Sequence, residues 1–127
     1  MSGAADERHF PGRAPIEAYG AGGFRFADMS HRGSVLALPS GIWAWPPTSA
    51  PEIDEVSLAR VFEEKAEIDI FLIGCGRDPV LLPALLRKRL HDAGFSFDTM
   101  PTRAAASTYN VLLGEGRRVA AALIAVE

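Results

Sequence analysis

The chain has one cysteine, no long hydrophobic run and no excess of basic residues. One cysteine cannot form an internal disulfide, so we expect a reducing, cytoplasmic environment. No apolar stretch approaches the roughly 20 residues of a bilayer-spanning helix, which leaves only peripheral association with a membrane. The net charge of −3 disfavours nucleic acid as a partner, because nucleic-acid binding needs a clustered basic surface.

Recognisable catalytic and metal-binding patterns are also missing. His9, His31 and His91 have no cysteine or carboxylate at ligand spacing, so we predict no metal site. The sequence contains neither a Walker loop nor a dinucleotide-binding glycine triplet, and we predict no cofactor. No Ser-His-Asp order or pair of carboxylates stands out, and we assign no catalytic residue.

The most informative segment is an apolar, β-branched run at residues 68–73, followed by Gly74, Cys75, Gly76 and Arg77. Such a run predicts a strand buried on both faces, and ligands bind at the carboxyl end of such strands in open α/β sheets. The glycines could hold an anion on main-chain amides, with Arg77 as counter-charge and Cys75 as a thiolate or soft contact. Alternatively, they make a tight strand exit in which Cys75 is a small apolar filler.

A length of 127 residues fits one domain. We predict a flexible N-terminal segment at residues 1–15 and a single α/β domain at residues 16–127. Alternating and apolar runs predict an N-terminal antiparallel meander, joined through turns at 28–33 and 39–41, with strands at residues 24–26, 34–38 and 42–45. Trp43 and Trp45 lie on one side of the last strand, and we favour a core role over an exposed binding platform.

After Pro51 the spacing of the apolar residues changes to the period of an α-helix. Helices are predicted at residues 56–62, with Asp54 or Ser57 as N-cap, from near Pro83 to Gly94, and from Thr102 as N-cap to Leu113. Short strands are predicted at 95–98 and, as a central strand, at 119–126. The apolar residues predicted to face the core from the first two helices are Val56, Leu58, Val61, Phe62, Leu82, Leu85, Leu86 and Leu90.

The third predicted helix carries Thr102, Thr108, Tyr109 and Asn110, which are poor choices for a helix interior and therefore predict specific hydrogen bonds. They could line a ligand site. We favour a cap at Thr102 and structural hydrogen bonds from Thr108 and Asn110 to neighbouring loops. Arg117 could bind an anion, although a solvated turn is the simpler interpretation.

The glycine segment, the stretch Met-Pro-Thr-Arg-Ala-Ala-Ala-Ser-Thr-Tyr-Asn at 100–110, and Glu-Gly-Arg-Arg at 115–118 resemble a known family. It is the family of small α/β domains that includes the third assembly factor of mitochondrial NADH:ubiquinone oxidoreductase (complex I). The resemblance runs from about Ile16 to Val126. It implies a mixed central sheet flanked by helices, no established enzyme activity, and, in bacterial members, no assigned function.

The resemblance places the family's signature at Gly74, Gly76, Met100, Thr102, Ala105, Thr108, Tyr109, Asn110 and Arg117. Cys75 stands where threonine is usual, and Pro101 where an acidic residue is common. We therefore expect a non-catalytic binding or assembly module that contacts a protein partner, such as a respiratory-complex subunit. The alternative is a small-molecule or anion-binding enzyme or sensor. The predicted ligand or partner site comprises Gly74, Cys75, Gly76, Arg77, Thr102, Thr108, Tyr109, Asn110 and Arg117.

Overall fold

The computed structural model describes residues 8–127, which form strands, three α-helices and two short 3-10 turns. The strands are β1 (Arg8–Phe10), β2 (Ala18–Gly20), β3 (Gly23–Phe26), β4 (Met29–Arg32), β5 (Ser34–Leu38), β6 (Gly41–Trp45), β7 (Ile70–Gly74), β8 (Ser96–Met100) and β9 (Val119–Leu123). The helices are α1 (Ala59–Glu63), α2 (Ala84–Asp92) and α3 (Thr102–Gly114). None of these helices is long and apolar enough to cross a bilayer.

The main sheet is mixed and has the order β1-β6-β5-β9-β7-β8, which confirms the predicted fold class. Strand β7 pairs in parallel with both β8 and β9, whereas β5 pairs antiparallel with β9 and β6. The predicted central position of β9 is confirmed. Strands β2, β3 and β4 form a separate antiparallel sheet.

Side chains of the central strands alternate between two hydrophobic clusters, as the period of a strand requires. Phe71 and Ile73 of β7 pack in the cluster that contains Leu86 and Leu90 of α2. Leu72 lies in the opposite cluster, which also holds residues of α3 and β3. The apolar run therefore forms a strand buried on both faces, with α2 and α3 on opposite sides of the sheet.

The N-terminal half pairs in antiparallel fashion, as predicted, but it contains three strands beyond the three named from the sequence, namely β1, β2 and β4. Residues 28–33 were predicted to be a turn, and Met29–Arg32 instead forms β4. Its side chains are mainly polar and mostly exposed, so the segment lacks the hydrophobic alternation that marks a strand. Pairing with β3, from Gly23 opposite Arg32 to Phe26 opposite Met29, provides the hydrogen bonds that keep it extended.

The predicted flexible segment at residues 1–15 falls partly outside the described residues, which begin at Arg8. Arg8–Phe10 forms the short strand β1, which pairs antiparallel with β6. The flexibility expected for residues 1–15 stays a prediction. Ala14 and Ile16 are buried. The domain boundary at residue 16 stays a prediction.

Two of the residues expected to face the core from helices point outward. Helix α1 begins at Ala59, and the upstream residues form a turn in which the Ser57 amide donates to Asp54 Oδ1 at 2.8 Å. Val56 lies within this turn and is 82% exposed, contrary to expectation. Helix α2 begins directly after Pro83, as predicted, yet Leu85 is 75% exposed.

Both tryptophans are held by internal contacts. Trp45 is buried and its indole donates to the Ser57 carbonyl oxygen at 2.7 Å. Trp43 is half-buried; its indole donates to Ser40 Oγ, and the Arg60 guanidinium lies 3.6 Å from the ring centroid. These contacts agree with the core role that we favoured over a binding platform.

Candidate functional site

The glycine turn (Gly74, Cys75 and Gly76) carries the chain out of β7 and against the start of α3. A Cβ atom on Gly74 would lie 2.9 Å from the Thr102 Cα and 3.0 Å from Leu123 Cδ2, so only glycine fits this close approach. Gly76 has a φ of +104°, a conformation that side-chain-bearing residues rarely adopt. The backbone geometry therefore requires glycine at both positions, and the two glycines together allow the end of β7 to approach the start of α3.

Thr102 connects three segments through one buried hydroxyl. It is the first residue of α3, and its hydroxyl makes no capping hydrogen bond, so its predicted role as N-cap is wrong. Its Oγ1 accepts a hydrogen bond from the Gly76 amide at 3.0 Å and donates to the Ile124 carbonyl oxygen at 2.7 Å. Its own amide donates to the Gly76 carbonyl oxygen at 2.7 Å. The residue thus fastens the ends of β7 and β9 to α3.

The amides of the glycine turn are satisfied within the protein. The Cys75 amide donates to the Met100 carbonyl oxygen at 2.9 Å, and the Gly76 amide to Thr102. These two groups cannot also cradle an anion, so that part of the anion-site hypothesis is wrong. What remains exposed at this end of the strand is the side chain of Arg77.

The thiol of Cys75 is enclosed rather than presented to solvent. The residue is 5% exposed and belongs to the α2-side hydrophobic cluster, with Sγ 3.8 Å from the carbonyl oxygens of Ile73 and Val80. Burial raises the pKa of the Cys75 thiol, so the neutral form dominates at physiological pH. The geometry agrees with a small apolar filler and disfavours a nucleophile.

Tyr109 and Asn110 tie the N-terminal segment to α3. The buried Tyr109 hydroxyl donates to the Ala14 carbonyl oxygen at 3.3 Å. The Asn110 side chain pairs with the backbone of Ile16 in both directions: Oδ1 accepts from the Ile16 amide and Nδ2 donates to its carbonyl oxygen, each at 2.8 Å. An amide side chain can replace a neighbouring strand in this way. The structural hydrogen bonds that we favoured for Asn110 are therefore present, and they occupy its side chain.

The nine residues predicted as one site do not converge. Thr108 is half-buried on α3. Arg117 is exposed and precedes β9, in which Val119 lies opposite Ile70 and Leu123 opposite Gly74. Four residues of extended chain separate these pairs by about 13 Å, so Arg117 lies at the other end of the strand from the glycine turn.

Two surface features lie near the glycine turn. Sequence reasoning missed the first and named only Gly76 and Arg77 of the second. The first is a set of exposed apolar residues close together in sequence, Val80, Leu81 and Leu85, which are 38%, 74% and 75% exposed and are called the apolar patch below. The second is a cleft of about 290 Å³ at the carboxyl ends of β7 and β9. Its walls include Tyr19, Arg77, Asp78, Arg103, Val126 and Glu127. Arg103 lies directly after Thr102 in the 100–110 stretch that carries the family resemblance. Its charge and its place in that stretch were the sequence features that could have indicated the cleft.

Residues 8–127 contain no group of three or more histidine, cysteine, aspartate or glutamate side chains placed to hold a metal ion. The ionisable groups with lowered pKa values are surface carboxylates in local contacts. Arg118, for example, hydrogen-bonds Asp69 and lowers the pKa of that carboxyl. Such exposed pairs are typical of surface structure and mark no reaction centre.

Comparison with known proteins gives consistent results. Residues 16–124 match the family described as protein of unknown function (DUF498/DUF598). An uncharacterized protein of Rhodobacter capsulatus is 38% identical over 121 residues, covering 95% of this chain and 92% of that protein. A crystal structure described as that of an outer membrane protein from Bartonella henselae is 55% identical, with a TM-score of 0.90, and the match covers 94% of this chain and 100% of that one.

A named relative is mouse NADH dehydrogenase (ubiquinone) 1 alpha subcomplex assembly factor 3, which is 27% identical over 118 residues. The match covers 93% of this chain but only 64% of the mouse protein. The matched region, residues 16–124, contains the glycine turn. It also contains the hydrogen bonds of the Thr102 hydroxyl (the Thr102 bridge) and the paired hydrogen bonds between Asn110 and Ile16 (the Asn110 clamp). The chain therefore belongs to the DUF498/DUF598 family of proteins of unknown function.

Proposed function

We propose that this protein is a non-catalytic assembly module that binds a partner protein, and that the partner is a subunit of a respiratory complex of the NADH dehydrogenase type. The relationship to assembly factor 3 supports the class of function. The observation in this chain that supports protein binding is the apolar patch, because exposed aliphatic side chains grouped on one surface mark interaction sites.

Buried residues of the same segment flank the apolar patch. Leu82 and Leu86 alternate with the exposed leucines and are 2% and 6% exposed, so they anchor the loop and α2 in the core. The Arg87 guanidinium donates to the Leu82 carbonyl oxygen at 3.0 Å. Burial of these neighbours reduces the backbone freedom that Leu81 and Leu85 would lose on binding a partner.

Two basic residues of α2 that follow Leu85 are paired with carboxylates. Lys88 binds Asp92 at 2.7 Å, and Arg89 binds Glu55. Paired charges at the rim of an apolar surface are the arrangement of many protein interfaces, in which a desolvated centre supplies the affinity. We propose that Leu81 and Leu85 are the centre of this interface.

The competing function, an enzyme or sensor using residues 74–77, has weaker support. Cys75 is buried with a raised thiol pKa, and burial raises the pKa of Tyr109 to about 12. Neither group is therefore poised for acid–base or nucleophilic work near neutral pH. We further propose a cytoplasmic location with peripheral access to a membrane-bound complex.

Affinity purification from the native membranes and cytosol tests the assembly role. The tagged wild-type chain should recover NADH dehydrogenase subunits, and the double variant Leu81→Ser, Leu85→Ser should lose them. The matched control is Val56→Ser, Val111→Ser, because those valines are 82% and 60% exposed but lie outside the patch. Equal recovery by the two double variants would refute the interface, and absence of respiratory subunits from the wild-type eluate would refute the partner.

A further inference from the structure

The cleft beside the glycine turn has a distinct chemical character. One wall is formed by the segment after β7 and the start of α3, which the hydrogen bond between the Thr102 amide and the Gly76 carbonyl oxygen joins. The rest of the lining, called the second wall here, includes Tyr19 and the residues after β9. The Gly22 amide donates to the Val126 carbonyl oxygen at 2.8 Å, which fixes this second wall to the turn between β2 and β3.

Two guanidinium groups line the first wall without internal partners. Among residues 8–127, neither Arg77 nor Arg103 makes a side-chain hydrogen bond or ion pair, although other exposed arginines such as Arg89 and Arg118 do. Their backbones are adjacent because Gly76 and Thr102, the residues that precede them, are hydrogen-bonded to each other. Guanidinium groups bind carboxylates and phosphates through paired, directional hydrogen bonds.

The remaining walls limit what such an anion can be. Tyr19 and Val126 offer apolar surface, so part of the ligand can be hydrophobic. Asp78 and Glu127 also line the cleft, and within the described residues they form no ion pair with the arginines. Two nearby carboxylates disfavour a polyanion, but they can accept hydrogen bonds from an ammonium or hydroxyl group.

We infer that this cleft binds a small organic molecule with one carboxylate or phosphate group, held by Arg77 and Arg103, and a hydrogen-bond donor at its other end. The volume of about 290 Å³ limits the ligand to a small metabolite-sized molecule. The inference stands apart from the assembly role, since the cleft and the apolar patch use different side chains. It keeps Arg77 from the original anion hypothesis but replaces the main-chain amides of that hypothesis with the side chain of Arg103.

Heteronuclear NMR titration of the full chain tests the inference. The ligands are acetate, inorganic phosphate, 3-aminopropanoate and its N-acetyl derivative, each added into the millimolar range at about 0.15 M salt to screen weak surface attraction. We expect saturable shifts of the Gly76, Arg77 and Arg103 amides, with the tightest binding for 3-aminopropanoate. N-acetylation should weaken binding because it removes the positive charge and two of the three N–H groups that would donate hydrogen bonds to the carboxylates of Asp78 and Glu127.

Arginine variants provide the decisive comparison. Arg77→Gln and Arg103→Gln should each weaken binding about tenfold or more, the loss expected for a charge-assisted hydrogen bond. Arg117→Gln removes the same charge from an exposed arginine at the far end of β9 and should leave binding unchanged. Wild-type-like spectra establish that each variant is folded. Equal affinities across the three variants, or no saturable shift in the wild-type protein with any of the four compounds, would overturn the inference.

Discussion

The glycine turn is followed directly by residues 77–85, and the two regions differ in which of their groups are available to a ligand or partner. In the glycine turn, the polar groups that looked available from the sequence are bound internally to Thr102 and Met100. In the following segment, Arg77, Leu81 and Leu85 reach solvent. A motif that identifies a family can thus be the support of a binding surface rather than the surface itself.

This difference predicts opposite consequences for substitution in the two regions. Changes in and around the glycine turn should reduce stability, because they leave buried backbone groups without partners. Changes at the exposed positions of residues 77–85 should alter binding and leave folding nearly unchanged. The following tests compare the regions from the largest expected effect on folding to the smallest.

Replacing the hydroxyl at the centre of the glycine turn should have the largest effect. Thr102→Val keeps the side-chain shape but deprives the Gly76 amide and the Ile124 carbonyl oxygen of their partner. Two buried unsatisfied groups should lower the free energy of unfolding by about 2–5 kcal/mol. Urea denaturation measures the loss. Thr102→Ser retains the hydroxyl and serves as control; a valine variant as stable as the serine variant would contradict the bridging role.

The buried phenol of Tyr109 should make the fold sensitive to alkali. Burial raises its pKa from 10.0 to about 12, so the folded state retains the proton more tightly than the unfolded state. The associated stability is complete below pH 10 and is lost as the pH rises toward 12, amounting to about 2–3 kcal/mol. The difference in unfolding free energy between wild type and Tyr109→Phe should show this slope. Parallel pH profiles would show that Tyr109 titrates normally.

Loss of the Asn110 clamp should have a smaller and more local effect. Asn110→Ala removes both hydrogen bonds to Ile16 in a partly buried position, which should cost about 1–2 kcal/mol. Amide hydrogen exchange at Ile16 should accelerate more than exchange in β7. Ser107→Ala, an exposed position on the same helix, is the control. Unchanged exchange at Ile16 would show that other contacts hold this segment.

Much of the main sheet was predictable because its pattern is physically strong. Strand β7 is a short apolar run that ends in glycine, β9 combines small and branched apolar residues, and two prolines restrict where α2 can begin. Strand β4 was not predictable in this way, since its polar sequence is extended only through pairing with β3. Periodicity detects burial, whereas strand pairing at an exposed sheet depends on distant residues.

The candidate site was harder to predict because its geometry depends on contacts between distant residues. Sequence reasoning located the carboxyl end of β7 and suggested structural hydrogen bonds for Asn110. It could not show that Thr102, 26 positions after Gly76, would occupy the Gly76 amide. It also placed Leu85 on the core face, since the pattern of leucines alone does not show where the helix surface ends and solvent begins.

The apolar patch should tolerate polar substitution with almost no effect on folding. Leu81→Ser and Leu85→Ser each expose a smaller side chain at a position that is already about three-quarters exposed, so the free energy of unfolding should change by no more than about 0.5 kcal/mol. Leu82→Ala, at the buried neighbouring position, is the matched control and should cost about 2–5 kcal/mol. Urea denaturation of the three variants separates the two behaviours. Destabilisation by Leu81→Ser equal to that of Leu82→Ala would place the patch among the packing residues, and the contrast with the glycine turn would then disappear.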